Sequence, residues 1–196
     1  MGSTPGTRDF EPDPISEAAL HRVLDHARFA PSGGNRQPWR VIVLRDPGAK
    51  RRLREQYVLA HRETPAYGTS GLDRFAEHLD EIPVLLLVCV ELASLSITDR
   101  DLDRPSVVGG ASIYPFVQNI LLGLRNEGLG GILTTLVCPR EPELRAIFGI
   151  PEAFAVACLI PVGHPRKPPS KLKRRPVGEF AWLDRFGGEP FGAEGS

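Results

Sequence analysis

The segment from residue 107 to residue 124 carries no charged residue, and it restricts the fold more than any other part of the chain. Its apolar residues at helical spacing are Ile113, Phe116, Val117, Ile120, Leu121 and Leu124. Other apolar residues fill the remaining faces, and a helix that is apolar almost all round must be buried on more than one side. Eighteen residues that include Pro115, Gln118 and Asn119 are poorly suited to a membrane span. We therefore predict a core helix that also packs against a second copy, in a homodimer.

The composition is that of an ordinary globular domain. The chain has 196 residues, of which 41% are hydrophobic, and this length suits a single domain. Its 24 basic and 24 acidic residues cancel, so no bulk attraction to nucleic acid or to a membrane surface is expected. The N-terminus lacks the apolar stretch of a signal peptide. Cys89, Cys138 and Cys158 form no CxxC pair, which indicates free thiols in a cytoplasmic protein without a metal site.

Helical and strand patterns alternate along the chain. Amphipathic spacing predicts helices at 16–30, 49–61, 73–81 and 141–148, besides the apolar one. Apolar runs predict strands at 41–44, 84–90, 132–137 and 155–162. The glycines at 128–131 are better explained as a stop after the apolar helix than as a dinucleotide-binding loop, which should follow a strand. The order predicts an α/β or α+β protein with one sheet between helices.

The domain boundaries follow from composition. We expect an N-terminal arm at 1–15, one domain at 16–165 and a C-terminal arm at 166–196. Residues 62–72 are rich in turn formers, which predicts a flap at about 57–81. The basic C-terminal arm fits a solvated tail, a nucleic-acid arm or a phosphate-binding arginine segment. Zero net charge and the lack of interleaved aromatic residues argue against nucleic acid.

The loop after the first predicted helix, APSGGNRQPW at 30–39, is a candidate binding site. Two glycines let a flat polar ligand approach the backbone. Ser32 and Asn35 can each donate and accept hydrogen bonds, which suits a heteroaromatic edge. The alternative is a plain helix-to-strand connection with good turn chemistry. Thr134 and Thr135 follow the glycine-rich turn and are either β-formers or site residues, and no nucleophile–base constellation accompanies them.

These segments together resemble the nitroreductase family of flavoproteins. Residues 31–39 match the family motif Pro-Ser-x-x-Asn-x-Gln-Pro-Trp at every defined position. GLGGILTTL, LIPVGHPRK and LKRRPVGEF resemble its central glycine motif, its closing strand and its C-terminal Arg-x-Pro segment. The resemblance implies an α+β three-layer sandwich with a central, mostly antiparallel sheet flanked by helices. It also implies an intertwined homodimer with FMN at two sites built from both subunits.

The resemblance assigns roles to individual residues. Arg8 would contact the flavin pyrimidine edge or the ribityl phosphate, and Arg174, with Arg175 as the alternative, would bind the phosphate. Thr134 and Thr135 are the catalytic candidates beside the flavin N5. The complete cofactor-binding set is Arg8, Pro31, Ser32, Asn35, Gln37, Gly131, Thr134, Thr135, Arg174 and Arg175. The flap residues that would shape the substrate pocket are Tyr57, His61, Tyr67 and Phe75.

One part of the family pattern is missing. The family usually begins with Arg-x-Ser-x-Arg/Lys, and the ungapped positions here are Thr4, Gly6 and Arg8. Only the last cation is kept, so a charge-assisted contact to the phosphate is lost. This loss predicts weaker retention of FMN.

The implied function is an FMN-dependent oxidoreductase. It would take hydride from NAD(P)H and reduce nitroaromatic, quinone or similar conjugated acceptors by a ping-pong mechanism. Alternatives are a flavin-binding module without turnover and a member of the reductive dehalogenase or flavin-fragmenting branch. Glu63 and Tyr67 could imitate two members of the Glu-Tyr-Lys trio of the iodotyrosine dehalogenases. No lysine lies between Lys50 and Lys167 to complete it.

Overall fold

The computed structural model describes residues 2–64, 72–167 and 171–192. Its helices are α1 Glu17–Ala27, α2 Pro47–Glu63, α3 Leu72–Glu77, α4 Tyr114–Asn126 and α5 Glu141–Phe148. Its strands are β1 Phe10–Glu11, β2 Trp39–Leu44, β3 Val84–Glu91, β4 Gly130–Gly131 and β5 Phe154–Pro165. The sequence predicted most of these elements to within a few residues, and Ser16 caps α1 as expected, since its hydroxyl accepts from the Ala19 amide.

The strands form one sheet in the order β1-β5-β3-β2, and β4 also pairs with β5. Every pairing between these strands is antiparallel. Along β3, Leu86 and Val88 enter one hydrophobic core, whereas Leu85 and Leu87 enter the other, because successive side chains point to opposite faces. Both faces are covered, which explains why this strand is an unbroken apolar run.

Helices cover the two faces in separate layers. On one face, α1 and α4 contribute Val23, Val117 and Ile120 to the core. On the other face, α2 and α5 contribute Leu53 and Leu144, and Phe75 of α3 joins them. The three-layer α+β prediction is therefore confirmed. In the first layer, the Trp39 ring stacks on Phe116 with a centroid distance of 4.7 Å, so the tryptophan of the opening motif anchors that motif to α4.

The prediction of one helix through 107–124 is wrong at its start. Residues 108–110 form a single 3₁₀ turn, and α4 begins only at Tyr114, with Pro115 in its first turn, where proline needs no amide partner. Within one chain, α4 buries one face, while Tyr114 and Val107 are 42% and 73% exposed. The sequence predicts that a second face of this segment is also buried, but no other part of the described chain covers it. Burial by a second copy, in a homodimer, stays a prediction.

The strand predicted at 132–137 is also wrong. Ladder pairing is confined to Gly130–Gly131, and beyond it only Thr134 forms an isolated bridge, to Leu159. The Cys138 amide then donates to the Thr135 carbonyl and turns the chain into a 3₁₀ helix. Leu133 and Leu136 pack against different cores, so their apolar pattern reflects packing rather than a ladder. The glycine stop is confirmed, because Gly128 has φ +73° directly after the end of α4.

All three cysteines are free. Burial raises the pKa of Cys89 and of Cys138 to about 11, and that of Cys158 further still. Unfolded thiols titrate near 8.5, so at pH 8 the folded protein should react with iodoacetamide at least about 100-fold more slowly than the protein in guanidinium. Mass spectrometry of timed, quenched samples measures both rates. Equal rates in the two states would contradict the buried positions.

Among the described residues, no helix is both long enough and apolar enough to cross a membrane.

Candidate functional site

A cavity of about 180 Å³ lies beside the segment that follows β4. It brings together residues that are far apart in sequence. Its lining residues are Arg8, Tyr57, Phe75, Ile132, Leu133, Thr134, Thr135 and Leu136. Five of these were predicted as site or flap residues, and Ile132, Leu133 and Leu136 were not. The three missed residues are apolar and gave no signal of their own beyond their position next to the threonines.

Thr134 is fixed by both its backbone and its side chain. Its amide donates to the Leu159 carbonyl at 2.9 Å, and the Leu159 amide donates back at 2.8 Å. Its Oγ1 lies 3.1 Å from the Tyr57 hydroxyl and accepts from the Leu136 amide at 3.4 Å. Thr135 is exposed. The first threonine therefore presents a preset hydroxyl, whereas the second is free to adjust.

Tyr57 differs from the flap residue that the sequence suggested. It lies in the middle of α2 and is only 1% exposed, yet it lines the cavity. Its ring meets Phe75 edge-on at a centroid distance of 6.0 Å. Burial raises the pKa of Tyr57, while the Thr134 hydrogen bond and the positive charge of Arg8 oppose the rise. Tyr57 is thus a core residue whose hydroxyl contacts Thr134 at the cavity wall.

Arg8 is carried by the N-terminal arm. The Thr7 amide donates to the Gly131 carbonyl at 3.1 Å, and Phe10 pairs with Pro165, so the backbone on both sides of Arg8 is tied to the sheet edge. Within the described part of the chain, the exposed Arg8 guanidinium makes no ion pair. Arg8 is therefore a fixed cation with its charge available to a ligand.

A second cavity of about 480 Å³ adjoins the first and shares Arg8 and Phe75 with it. Its other charged groups are mostly paired. Arg166 lies 3.1 Å from carboxylate oxygens of Asp9 and Glu11, and the His78 ring contacts Glu81. The charges of this larger cavity thus largely satisfy one another.

Hydrogen bonds within the opening loop, residues 30–39, hold it in a compact conformation. The Ser32 hydroxyl accepts from the Gln37 amide at 3.0 Å, and Gln37 Nε2 donates to Asn35 Oδ1 at 3.3 Å. Gly34, Asn35 and Gln37 have φ values of 59°, 53° and 49°. Residues other than glycine rarely adopt this region, and such strain concentrates at functional sites. Pro31 and its neighbours do not line the cavity, and the binding role of the loop stays a prediction.

Within one chain, the loop and the cavity are far apart. Trp39, at the end of the loop, lies opposite Val90, which lies opposite Ala155 in β5. Thr134 pairs with Leu159, on the other side of β5. Three interstrand spacings and four residues along the strand separate Trp39 from Thr134 by about 20 Å. The loop therefore enters the sheet far from the cavity of its own chain.

The two arms are joined to each other. The Leu172 amide donates to the Gly2 carbonyl at 2.9 Å, and Arg125 Nε donates to the Ser3 carbonyl at 3.0 Å. Arg174 and Arg175 are exposed on the C-terminal arm and do not line the cavity around Thr134. The structure therefore brings their segment to the N-terminal arm that carries Arg8.

The remaining predicted residues lie elsewhere. Gly131 is buried, and a Cβ there would lie 2.9 Å from Leu124 Cδ1 and 3.1 Å from the Pro161 carbonyl oxygen, so packing alone requires glycine. His61 is half-buried in the last turn of α2 and does not line either cavity. Tyr67 lies outside the described residues.

The structure also explains the altered N-terminal motif. A Cβ at Gly6 would lie 2.9 Å from Ile132 Cδ1, so a serine there would displace a side chain of the cavity wall. The Thr4 hydroxyl is buried and has no hydrogen-bond partner among the described residues. Neither position offers the exposed donor that the family motif usually supplies.

Sequence reasoning missed the polar support of the opening loop. The Gly33 amide donates to Ser112 Oγ at 3.0 Å, and Arg36 donates to Ser96 Oγ at 3.2 Å. Beyond Ser96, the chain is held by Asp99, which is 6% exposed and accepts from the Ser106 hydroxyl and the Val107 amide. An aspartate seven residues before a serine is too weak a pattern to predict this contact.

Asp99 gives the loop support a pH dependence. The hydrogen bonds from Ser106 and Val107, with help from Arg104, hold the pKa of Asp99 well below its usual range. A carboxylate with a lowered folded pKa stabilises above the unfolded value of about 3.9, and the contribution declines as the pH falls further. We expect Asp99→Asn to lower the Tm at pH 7 and to lower it less at pH 3.

Differential scanning calorimetry of both proteins at the two pH values tests this. Asp25→Asn is the matched control, because Asp25 forms only an exposed ion pair with Arg28, and such pairs contribute little. A Tm difference for Asp99→Asn that grows on acidification would contradict the assigned direction.

Comparisons with known proteins identify relatives of this chain and of its fold. The sequence profile described as the nitroreductase family matches residues 6–164. The chain is 28% identical to an NADH dehydrogenase of Thermus thermophilus, covering 87% of each protein. It is 26% identical to iodotyrosine deiodinase 1 of Rattus norvegicus, covering 88% of this chain but 64% of that protein. A crystal structure of oxidised iodotyrosine deiodinase bound to FMN and 3-iodo-L-tyrosine superposes with a TM-score of 0.70, at 25% identity, over 89% of this chain and 92% of the other.

Proposed function

Because the chain belongs to the nitroreductase family, we propose that it is an FMN-dependent oxidoreductase. It takes hydride from NAD(P)H and passes electrons to a conjugated acceptor, such as a nitroaromatic compound or a quinone, by a ping-pong mechanism. The observation that carries the proposal is the cavity that gathers Arg8, Thr134 and Thr135 from distant parts of the chain. The name of the Thermus relative supports a nicotinamide reductant.

The donor set of the cavity fits the ring of FMN. The Arg8 guanidinium, which makes no ion pair with any residue that the structure describes, suits the pyrimidine edge, where negative charge develops on reduction. Thr134 and Thr135 suit the edge that carries N5, with hydroxyl and backbone groups. The apolar wall formed by Ile132, Leu136 and Phe75 suits a flat ring and excludes water. When bound, FMN supplies the redox chemistry, and the protein supplies position and charge.

The residues proposed to bind the phosphate of FMN differ from those of the usual family motif. Gly6 and Thr4 offer no exposed donor, so we propose that Arg174, with Arg175 as the alternative, carries the phosphate contact. The pairing of Leu172 with Gly2 supports this role, because it brings the C-terminal arm to the arm that holds Arg8. The reaction needs no side-chain acid, since the protein has only to hold Arg8 and the threonines in place.

The second half of the site comes from another copy of the chain. The opening loop joins the sheet at Trp39, about 20 Å from Thr134 of its own chain, so we propose that Pro31, Ser32, Asn35 and Gln37 of the partner close over the ring. The apolar surface left exposed at Val107 and Tyr114 supports a homodimer. Tyr57 and Phe75 are core residues that line the cavity, and a substrate flap within residues 57–81 remains part of the proposal. The free thiols fit a cytoplasmic location.

An absorbance spectrum of the purified protein tests the proposal. Bound flavin should give its two visible bands, and NADPH or NADH added under argon should bleach them. Bands that persist with both nucleotides would favour a flavin-binding module without turnover. A colourless protein that fails to bind added FMN would overturn the assignment of the cofactor.

Reductive dehalogenation is the second candidate. The likeness to a deiodinase bound to 3-iodo-L-tyrosine favours it. Against it, no lysine occupies residues 51–166, and Glu63, which could grip an amino-acid ligand, pairs with Arg140 at 3.3 Å. An anaerobic acceptor screen that includes 3-iodo-L-tyrosine beside nitrobenzoate and menadione separates the two. Release of iodide at a rate above that of the other reductions would favour the dehalogenase.

A further inference from the structure

The hydroxyls of Tyr57 and Thr134 form a pair at the wall of the cavity. Their oxygens are 3.1 Å apart, and either could donate. The Leu136 amide also donates to Thr134 Oγ1, at 3.4 Å. A threonine hydroxyl has one proton and two lone pairs, so the direction of the Tyr57 bond decides what Thr134 can offer to a ligand.

The surroundings of Tyr57 set that direction. Tyr57 is 1% exposed, and within the described residues Thr134 is the hydrogen-bond partner of its hydroxyl. If Tyr57 donates, its proton is satisfied. If Thr134 donated instead, the phenol proton would be buried without an acceptor, which is unfavourable. Tyr57 is therefore the donor in the unliganded site.

With that direction fixed, both lone pairs of Thr134 are occupied. Tyr57 and the Leu136 amide take them, and the only free function of the hydroxyl is its own proton. The proton then points away from both partners, towards the cavity that Thr134 lines. Thr134 is thus set to donate and is poorly suited to accept.

We propose that Tyr57 is a positioning residue that fixes the Thr134 hydroxyl as a hydrogen-bond donor and thereby favours the oxidised over the reduced cofactor. The inference rests on the proposed function, in which Thr134 faces the edge of FMN that carries N5. Oxidised N5 is a hydrogen-bond acceptor, whereas reduced N5 carries a proton and needs an acceptor. A fixed donor therefore lowers the midpoint potential of the bound flavin.

The test compares wild type with Tyr57→Phe, which removes the phenol oxygen and keeps the ring that packs on Phe75. Fluorescence titration gives the Kd for oxidised FMN, and anaerobic titration against a reference dye gives the midpoint potential. Together they yield the Kd for reduced FMN. We expect Tyr57→Phe to lower the ratio of reduced to oxidised Kd by about tenfold and to raise the potential.

Two further variants separate positioning from a general structural effect. Ser16→Ala removes a hydroxyl that caps α1 away from both cavities, and it should leave the ratio unchanged. In a Thr134→Val background, Tyr57→Phe should have no further effect on the ratio, because the hydroxyl it positions is gone. Thermal unfolding checks that each variant is folded.

The outcomes are distinguishable. FMN binding with an unchanged ratio in Tyr57→Phe would overturn this inference and leave the proposed function standing. An equal effect of Tyr57→Phe in the Thr134→Val background would also overturn it. Failure of the wild-type protein to bind FMN would overturn the proposed function, and this inference with it.

Discussion

Arg8→Gln should weaken the binding of FMN by about 10- to 100-fold, the range expected for losing one hydrogen bond to a charged group. Arg8 lines the cavity, and its guanidinium makes no ion pair within the described residues, so no other contact of the fold depends on its charge. The arm should stay in place, because Thr7 and Phe10 hold it through the backbone. Quenching of FMN fluorescence at constant salt measures the affinity.

Arg51→Gln is the control for the change in net charge, because Arg51 is exposed on α2 and does not line the cavity. Riboflavin in the same titration distinguishes the two roles left open for Arg8. Contact with the pyrimidine edge predicts equal weakening for riboflavin and FMN, and contact with the phosphate predicts weakening for FMN alone. An unchanged affinity for both ligands would show that Arg8 does not bind the flavin.

Elements that are marked by a short local sequence pattern were predictable from the sequence. The apolar run of β3 required two covered faces, and this gave the three layers. Ser16 and Gly128 marked helix ends through side-chain capping and a left-handed backbone, which depend on a few neighbouring residues. Such signals need no knowledge of distant partners, so one sequence is enough to find them.

The wrong predictions concern apolar residues that are buried by parts of the molecule distant in sequence. Residues 107–113 precede α4 without being α-helical, and only 108–110 form a 3₁₀ turn. Ile132 and Leu136 looked like strand residues, but they pack against a core while the backbone leaves the sheet. Tyr57 looked like a flap residue in a charged helix, and it is buried because that helix lies on the sheet. A hydrophobic pattern predicts that a residue is buried, but it does not predict which element or which chain covers that residue.

The candidate site was predictable as a set of residues but not as a geometry. Resemblance to the family selected Arg8, Thr134 and Thr135, which the structure then places around one cavity. The distance between the loop and the cavity depends on strand order and register, which a sequence does not state. The hydrogen bond from Tyr57 to Thr134 joins residues 77 positions apart, and no local pattern could have indicated it.

The distance between the opening loop and the cavity of the same chain leads to the prediction with the largest expected change in FMN binding. If one site takes Arg8 from one subunit and the loop from the other, two defective variants should restore each other. Arg8→Gln and the double variant Ser32→Ala/Asn35→Ala should each bind little FMN alone. After the two are unfolded together and refolded, about half of the dimers are mixed, and each mixed dimer holds one intact site. Flavin binding should therefore recover to about a quarter of the wild-type sites.

The control is a mixture of two variants whose substituted residues line the same cavity of one chain. Arg8 and Thr134 line one cavity of one chain, so mixing Arg8→Gln with Thr134→Val leaves a defect in both sites of every mixed dimer. This mixture should bind no more FMN than the average of the two variants refolded alone. Recovery in both mixtures would mean that each site takes its residues in another combination. Undiminished FMN binding by the loop variant alone would place the opening loop outside the flavin site, and the strained backbone at Asn35 and Gln37 would then serve the anchoring of Trp39 on α4 instead.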